Sequence, residues 1–190
     1  RKHNHANGED NQDGRDEEVA QLAEYIGLLT KWNTRLNLTA LALAPMADTT
    51  VDRLIIEPVA AARDVRAADR RMRDVGSGGG SPALPLKIAS PWLRLTLVEV
   101  KTRKSAFLRE AIRHLALADT VVETERVESL STRGELRESV DVMSIDTRPS
   151  RALAELKSGS NSSPSVSARA AMARSSTSAW VVSRATAISP

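Results

Sequence analysis

The chain contains no cysteine. That excludes disulfides, thiolate zinc sites and cysteine nucleophiles together, and it makes an intracellular, cytoplasmic setting the simpler expectation. Aromatic side chains are scarce as well, at 3% of the chain: three Trp, one Tyr and one Phe. The core must therefore be built from Leu, Val, Ile and Ala, and a row of rings on which bases could stack is not to be expected. Long apolar runs are missing too. No stretch approaches the roughly 20 residues that span a bilayer, and the polar opening, residues 1–18, lacks the apolar segment of a signal peptide.

Acidic residues and lysine disappear from the last part of the chain: residues 158–190 hold three Arg but no Lys, Asp or Glu. Of the 27 basic side chains, 24 therefore fall in residues 1–157, where they meet all 24 acidic ones. The formal net charge of +3 belongs to the tail, and the body is neutral. Any affinity for nucleic acid has to come from local patches rather than from a global field.

What is present suits one soluble domain: 190 residues, 41% hydrophobic and 27% charged. Val19, Leu22, Tyr25, Ile26, Leu29 and Trp32 recur at three- and four-residue intervals and predict an amphipathic helix over 19–32. A second helix is expected over 48–66, with Asp48 or Thr49 as its N-cap, Leu54, Ile55, Val59 and Ala62 inward, and Pro58 as a kink or boundary. Arg71 to Val75 reads as a short buried strand, and Leu84 to Ala89 as a helix opening after a glycine-rich turn. Leu93 to Val98, Thr120 to Thr124 and Val140 to Ile145 read as further strands. Between the first two of these, Lys101 to Leu117 places Phe107, Leu108, Ala111, Ile112 and Leu115 on one helical face, with Lys104, Arg109 and Arg113 toward solvent. Strands alternating with helices predict an α/β parallel sheet whose ligands sit at the carboxyl ends of the strands. From residue 158 onward 11 of 33 residues are serine and periodicity is lost, so three segments are expected: a polar tail over 1–18, the folded domain over 19–157, and a disordered tail over 158–190.

The stretch Asp74-Val75-Gly76-Ser77-Gly78-Gly79-Gly80 carries the chemistry. Gly76, Gly78 and Gly80 permit positive φ and a close approach of backbone N–H groups to a ligand. Their G-x-G-x-G spacing is not the dinucleotide fingerprint, which needs a glycine where this chain has Ser81, and no Gly-Lys-Ser/Thr follows to make a P-loop. Asp74 can face the positive part of a ligand or accept from the turn. Glu99, at the tip of the next strand, can hold two vicinal ribose hydroxyls, because an ionised carboxylate accepts several bonds. An acid, the glycines and a second acid one strand–helix–strand step later point to a nucleoside-containing cofactor.

Asp74 to Ile88, DVGSGGGSPALPLKI, resembles the cofactor motif of class I S-adenosylmethionine-dependent methyltransferases. With KWNTRLNLTA at 31–40, LTLVEVKTRKSAFL at 95–108 and RVESL at 126–130, the chain more narrowly resembles the ribosomal RNA small subunit methyltransferase G (GidB) family, from about Val19 to Val142. The WN-x-x-x-NLT stretch is the more specific piece. The resemblance implies a Rossmann-like methyltransferase sheet with a helical N-terminal preface, S-adenosyl-L-methionine as cofactor, and methyl transfer to guanine N7 of small-subunit ribosomal RNA. The expected partner is that RNA or the 30S particle, with no membrane partner and no metal, and the protein is expected to act as a monomer. Carried over by position, Gly76, Gly78 and Ser81 line the methionine and ribose side, Glu99 the ribose, and Val127 and Glu128 the adenine edge. An arginine after the fourth strand matches either Arg148 or Arg151.

Guanine N7 offers a lone pair and carries no proton, so the resemblance assigns no catalytic acid or base; positioning dominates. Arg63, Arg66, Arg70, Arg71 and Arg73 before the turn, and Lys101, Arg103, Lys104, Arg109 and Arg113 after Glu99, are candidate phosphate contacts or solvated helix faces. Asn33 and Asn37 order the loop after the first helix or shape the substrate mouth. His3 and His5 read as part of an unstructured terminus and His114 as a helix-face residue.

The chain departs from the family at Ser81, usually bulky and apolar, at Ala83, usually glycine, and at Arg53 to Pro58, where RLIIEP replaces RH-x-x-DS. Beyond Ile145 the late strands are not legible, so the sheet is expected to be incomplete on its C-terminal side. Two further readings follow: an inactive remnant of the family that keeps cofactor or RNA contacts, and a nicotinamide oxidoreductase, which Ser81 disfavours.

Overall fold

The computed structural model of the chain describes residues 6–126, 142–146 and 180–184. A five-stranded sheet runs through it in the order β3-β2-β1-β4-β5, with β1 at Arg71–Val75, β2 at Arg94–Val98, β3 at Thr120–Glu123, β4 at Val142–Asp146 and β5 at Trp180–Arg184. The first four strands are parallel to their neighbours; β5 pairs antiparallel with β4. Two crossovers carry the helices α4 (Ala83–Ala89) between β1 and β2 and α5 (Thr102–His114) between β2 and β3. The chain therefore starts at the centre of the sheet and winds outward to β3, then restarts on the other side at β4. The reversal falls beside β1, which is where an open parallel sheet forms a crevice at its carboxyl edge.

The helical preface comprises α1 (Ala6–Leu36), α2 (Asp48–Val51) and α3 (Glu57–Ala61). The apolar stripe of α1 faces inward over most of its length: Tyr25 and Leu29 are fully buried, and Trp32 meets Phe107 of α5 with ring centroids 5.9 Å apart and planes tilted by 59°. The first residue of the stripe, Val19, is exposed, because the helix there has passed beyond the elements it packs against. The helix begins earlier than the stripe, taking in residues of the expected polar tail from Ala6 onward. Exposed polar residues can extend a helix in solvent once a packed stretch has nucleated it.

The second expected helix is broken into pieces. A π-helical turn, Asp52–Ile56, joins α2 to α3, and a 3₁₀ turn, Ala62–Asp64, closes the segment. Pro58 stands in the first turn of α3, where its missing N–H costs nothing, and the wider π turn before it accommodates the ring. The N-cap also differs: it is Ala47, whose carbonyl takes the N–H groups of Thr50 and Val51, with no side-chain cap from Asp48 or Thr49.

Core residues come from every layer: Leu84 and Leu86 of α4, Leu95 and Leu97 of β2, Phe107, Leu108 and Ala111 of α5, and Met72 of β1 are all essentially inaccessible. Residues 83–88 of α4 are buried all round, which explains an apolar composition with no amphipathic stripe. The strand β5 lies inside the serine-rich segment expected to lack structure. A Trp-Val-Val run suits a pleated surface, and pairing with β4 covers the edge that the sheet would otherwise leave there. Among the described residues no helix is long and apolar enough to cross a membrane.

Candidate functional site

The site is organised by the turn from β1 into α4. Gly76, Gly78 and Gly80 all have positive φ, at 81°, 51° and 89°. The alternation seen in the sequence is thus a conformational requirement at each of the three positions. Gly80 is also sterically closed: a Cβ there would lie 2.5 Å from Leu84 Cδ1 and 3.0 Å from its Cγ. The fourth glycine, Gly79, has ordinary φ and a different reason to be small. A Cβ on it would lie 3.1 Å from Leu29 Cδ1 and 3.3 Å from the Leu38 carbonyl oxygen, so its absence lets α1 and the following loop close over the turn. The Tyr25 hydroxyl completes that contact by donating to the Gly79 carbonyl at 2.8 Å. Burial, reinforced by the nearby Asp74 charge, pushes the Tyr25 hydroxyl far above the usual phenol range. Tyr25 is therefore a fixed, neutral donor.

Four backbone donors of the turn, those of Gly76, Ser77, Gly78 and Gly80, are spent inside the protein. Gly76 and Ser77 N–H both reach the Val98 carbonyl, at 2.9 and 3.2 Å; Gly80 N–H reaches the Ser77 carbonyl at 2.6 Å; Gly78 N–H donates to Glu99 Oε2 at 2.9 Å. The expectation was a close approach of these N–H groups to a ligand; those of Gly76, Gly78 and Gly80 are instead engaged within the protein. The glycines keep side chains out of the way while the donors hold the turn onto β2.

Glu99 sits just past β2 and is 6% exposed. Its other oxygen, Oε1, accepts from Lys101 N–H at 2.8 Å. Each carboxylate oxygen has one protein donor and, with about four lone-pair sites on the group, capacity for another. Asp74, 2% exposed, takes the Ser144 hydroxyl on Oδ1, a cross-strand contact set by the register of β1 with β4. Ser77 is buried behind the turn and donates its hydroxyl to the Asp74 carbonyl at 3.1 Å.

A cavity opens between this turn and the helical preface. Asp74, Gly76, Gly78 and Ser81 line it from the sheet side, and Leu38, Leu41, Arg53 and Glu57 from the preface. Ser81 also ties the walls together, donating from Oγ to the Leu54 carbonyl at 3.2 Å. The loop forming the preface wall owes its shape to the two asparagines of WN-x-x-x-NLT. Asn33 Oδ1 accepts from Leu38 and Thr39 N–H at 2.7 and 2.9 Å, and Asn37 ends the helix in the left-handed region at φ 47°. Both act by ordering the loop.

Of the expected site residues at the carboxyl ends of β1 and β2, Asp74, Gly76, Gly78 and Ser81 line the cavity, whereas Gly80 and Glu99 stand at the same end of the sheet without lining it. Val127, Glu128, Arg148 and Arg151 lie outside the described residues. His3 and His5 do too. Sequence reasoning missed Tyr25, Arg53, Glu57 and Ser144; the first sits in an apolar stripe that reads as core, and the others reach the site only through long-range packing.

The basic residues divide. Arg70 and Arg71 stand at the amino end of β1, roughly 13 Å of strand from the glycine turn, and Arg73 is buried in mid-strand. Arg66 pairs with Asp69 at 2.9 Å at that same end. Arg63 stands on the 3₁₀ turn Ala62–Asp64, and none of these five arginines lines the cavity. On α5, Arg109 is bound to the Val122 carbonyl and Thr124 hydroxyl, and Arg113 to Glu110. Lys101, Arg103 and Lys104, at the start of α5, remain on the site's edge of the sheet. His114 faces Glu24 of α1 at 3.9 Å, as a half-exposed helix-face residue.

The family model described as rRNA small subunit methyltransferase G (GidB) matches residues 18–172, extending past the Val19–Val142 span that carries the recognisable motifs. A protein of that name from Chloroflexus aggregans is 39% identical over 140 residues, covering 74% of this chain and 56% of its own length. Another from Roseiflexus sp. is 40% identical over 139 residues, with 73% and 56% covered. The chain thus spans about half the length of the curated relatives it matches. Among solved structures, a SAM-dependent methyltransferase from Aquifex aeolicus overlays with a TM-score of 0.44 at 13% identity, covering 73% of this chain and 94% of that one. With its glycine turn, its WN-x-x-x-NLT loop and a family match over most of its length, the chain belongs to the rRNA small subunit methyltransferase G (GidB) family.

Proposed function

We propose that the chain binds S-adenosylmethionine at the carboxyl ends of β1 and β2 and transfers a methyl group to guanine N7 of small-subunit ribosomal RNA. The observation that carries the cofactor reading is the spent donors of the glycine turn. A dinucleotide or nucleotide triphosphate needs free N–H groups at the turn and a helix N-terminus aimed at its phosphates. Here the N–H groups of Gly76, Ser77, Gly78 and Gly80 are engaged, and α4 begins with the Leu84 N–H on the Gly80 carbonyl. What the turn offers is close approach beside two buried carboxylates, which suits a nucleoside without phosphates. It also argues against a nicotinamide oxidoreductase.

In this reading Glu99 takes the ribose hydroxyls on its remaining lone pairs, while Gly76, Gly78, Gly80 and Ser81 form the floor under the ribose and methionine portions. Asp74 supplies negative charge from beneath. Family resemblance adds Val127 and Glu128 at the adenine edge, and Arg148 or Arg151 after β4. The bound cofactor supplies an electrophilic methyl group on a sulfonium. Since guanine N7 bears no proton, the chain's task is to hold the base in line and exclude water, and no side chain needs to accept a proton. Asp74 also offsets the positive charge that accompanies the reaction. Lys101, Arg103 and Lys104 are placed to meet RNA phosphates beside the site. The protein acts in the cytoplasm as a monomer, on ribosomal RNA or the 30S particle.

The test is transfer of labelled methyl from S-adenosylmethionine to 30S particles lacking the modification, with free nucleosides alongside. Label at guanine N7 of the RNA is expected; its absence from RNA would sink the proposal. A second reading, a remnant that keeps the cofactor but transfers nothing, is favoured by the substituted Arg53 to Pro58 segment, which forms part of the cavity wall. S-adenosylhomocysteine binding without labelled RNA selects it.

A further inference from the structure

Arg53 lies on the π-helical turn, half-buried, and lines the cavity together with Asp74 and the glycine turn. Among the described residues it makes no hydrogen bond or ion pair. Other arginines near the sheet are engaged: Arg66 on Asp69, Arg109 on a carbonyl and a hydroxyl, Arg113 on Glu110. A guanidinium drawn partly out of water into a cavity loses hydration that only a polar or charged partner restores. Its planar fork suits an oxyanion, which it binds with two parallel hydrogen bonds.

The remaining charges of the cavity narrow the ligand. Glu57, four residues after Arg53, and Asp74 both line it. One cation and two carboxylates around one space complement a zwitterion, with its carboxylate toward Arg53 and its ammonium toward the acids. The amino-acid half of S-adenosylmethionine is such a group. An RNA phosphodiester presented with the target base is the other oxyanion that can enter.

We propose that Arg53 is the anion anchor of this cavity, holding an oxyanion of the bound ligand through its guanidinium fork. The inference rests on the reading of the cavity as the cofactor and substrate site. Its test is calorimetric titration of the unaltered chain, Arg53→Gln and Arg53→Lys with S-adenosylhomocysteine and with methylthioadenosine, which keeps the nucleoside and sulfur but lacks the amino-acid half. Binding to unmodified 30S particles is measured in parallel over a salt series, and circular dichroism confirms that each variant is folded.

If the anchored group is the carboxylate, Arg53→Gln weakens S-adenosylhomocysteine roughly ten- to hundredfold, Arg53→Lys recovers part of the loss, and methylthioadenosine binds all three alike. If it is a phosphate, homocysteine-adduct binding is unchanged, while 30S affinity falls and the log–log salt slope shrinks by about one. Equal loss for both nucleosides marks a structural role and overturns the anchor, as does no change anywhere. Failure of the unaltered chain to bind either nucleoside or the particle overturns the cofactor reading and the anchor with it. Binding without methyl transfer removes only the enzymatic reading, because the anchor is read from affinities.

Discussion

At the amino ends of β1 and β2, Asp69 and Lys87 are buried to 3% and 2% exposure; at the carboxyl ends of the same strands, Asp74 and Glu99 are buried to 2% and 6%. By burial alone the two ends are alike. They differ in what the charges meet. Asp69 caps its own loop, accepting from Arg66 N–H at 2.8 Å and from the Arg66 guanidinium. Lys87 reaches out of α4 to the carbonyls of Pro91, at 2.6 Å, and Leu93, closing the loop into β2. Burial pushes the Lys87 ammonium below the ordinary lysine range, with Asp119 pulling it partly back. At the other end Asp74 lines a cavity, and Glu99 has capacity left for a ligand beside it. A buried charge marks a functional site only where it has an open face; where backbone closes around it, the same burial is architecture.

That contrast can be broken by substitution. The largest effect is expected from Gly80→Ala, which forces an L side chain into φ 89° and a methyl against Leu84. A loss of about 3 kcal/mol of stability is expected from strain and overpacking, seen as an early midpoint in urea unfolding. A near-neutral result would mean that the turn can relax, and would undo the steric account of this position.

Glu99→Ala should weaken S-adenosylhomocysteine by about a hundredfold, the scale of losing hydrogen bonds to a charged group. Calorimetry on the folded variant checks this, and unaltered affinity would remove Glu99 from the site. Lys87→Met should do the reverse. Leaving the buried Leu93 carbonyl and the partly buried Pro91 contact without their donor costs about 2 kcal/mol of stability, while nucleoside affinity of the folded protein stays unchanged. If Lys87→Met impaired binding as much as Glu99→Ala, the division between the two ends of the sheet would fail.

The parts of the fold legible in the sequence are those where local and global demands agree. β2 was readable within a residue because a buried parallel strand needs a short run of branched and apolar residues, and β1, three of whose five residues are charged, was readable at its observed bounds from its place just before the glycine turn. The glycine positions were readable because positive φ leaves almost no other choice of residue. The preface was less so. Asp48 to Arg66 has one helical period, yet Pro58 and the need to place Arg53, Leu54 and Glu57 along one wall divide it into α, π and 3₁₀ turns. Nothing local announces that division. The distance of the arginine-rich approach to β1 from the turn was hidden for a related reason: residues a few positions before a turn in sequence are a strand's length away in space. Tyr25 was legible as core but not as the donor to Gly79, a contact that spans 54 positions.

The self-satisfied hydrogen bonding of the glycine turn has a kinetic consequence. A loop that must be ordered by its ligand spends part of the binding free energy on that ordering, and must loosen again before product leaves. This turn is already held by Val98, Glu99 and Tyr25 through folding alone. On the proposed function, spent and fresh cofactor exchange across a floor of constant shape, and the pace of turnover passes to whatever delivers and withdraws the RNA.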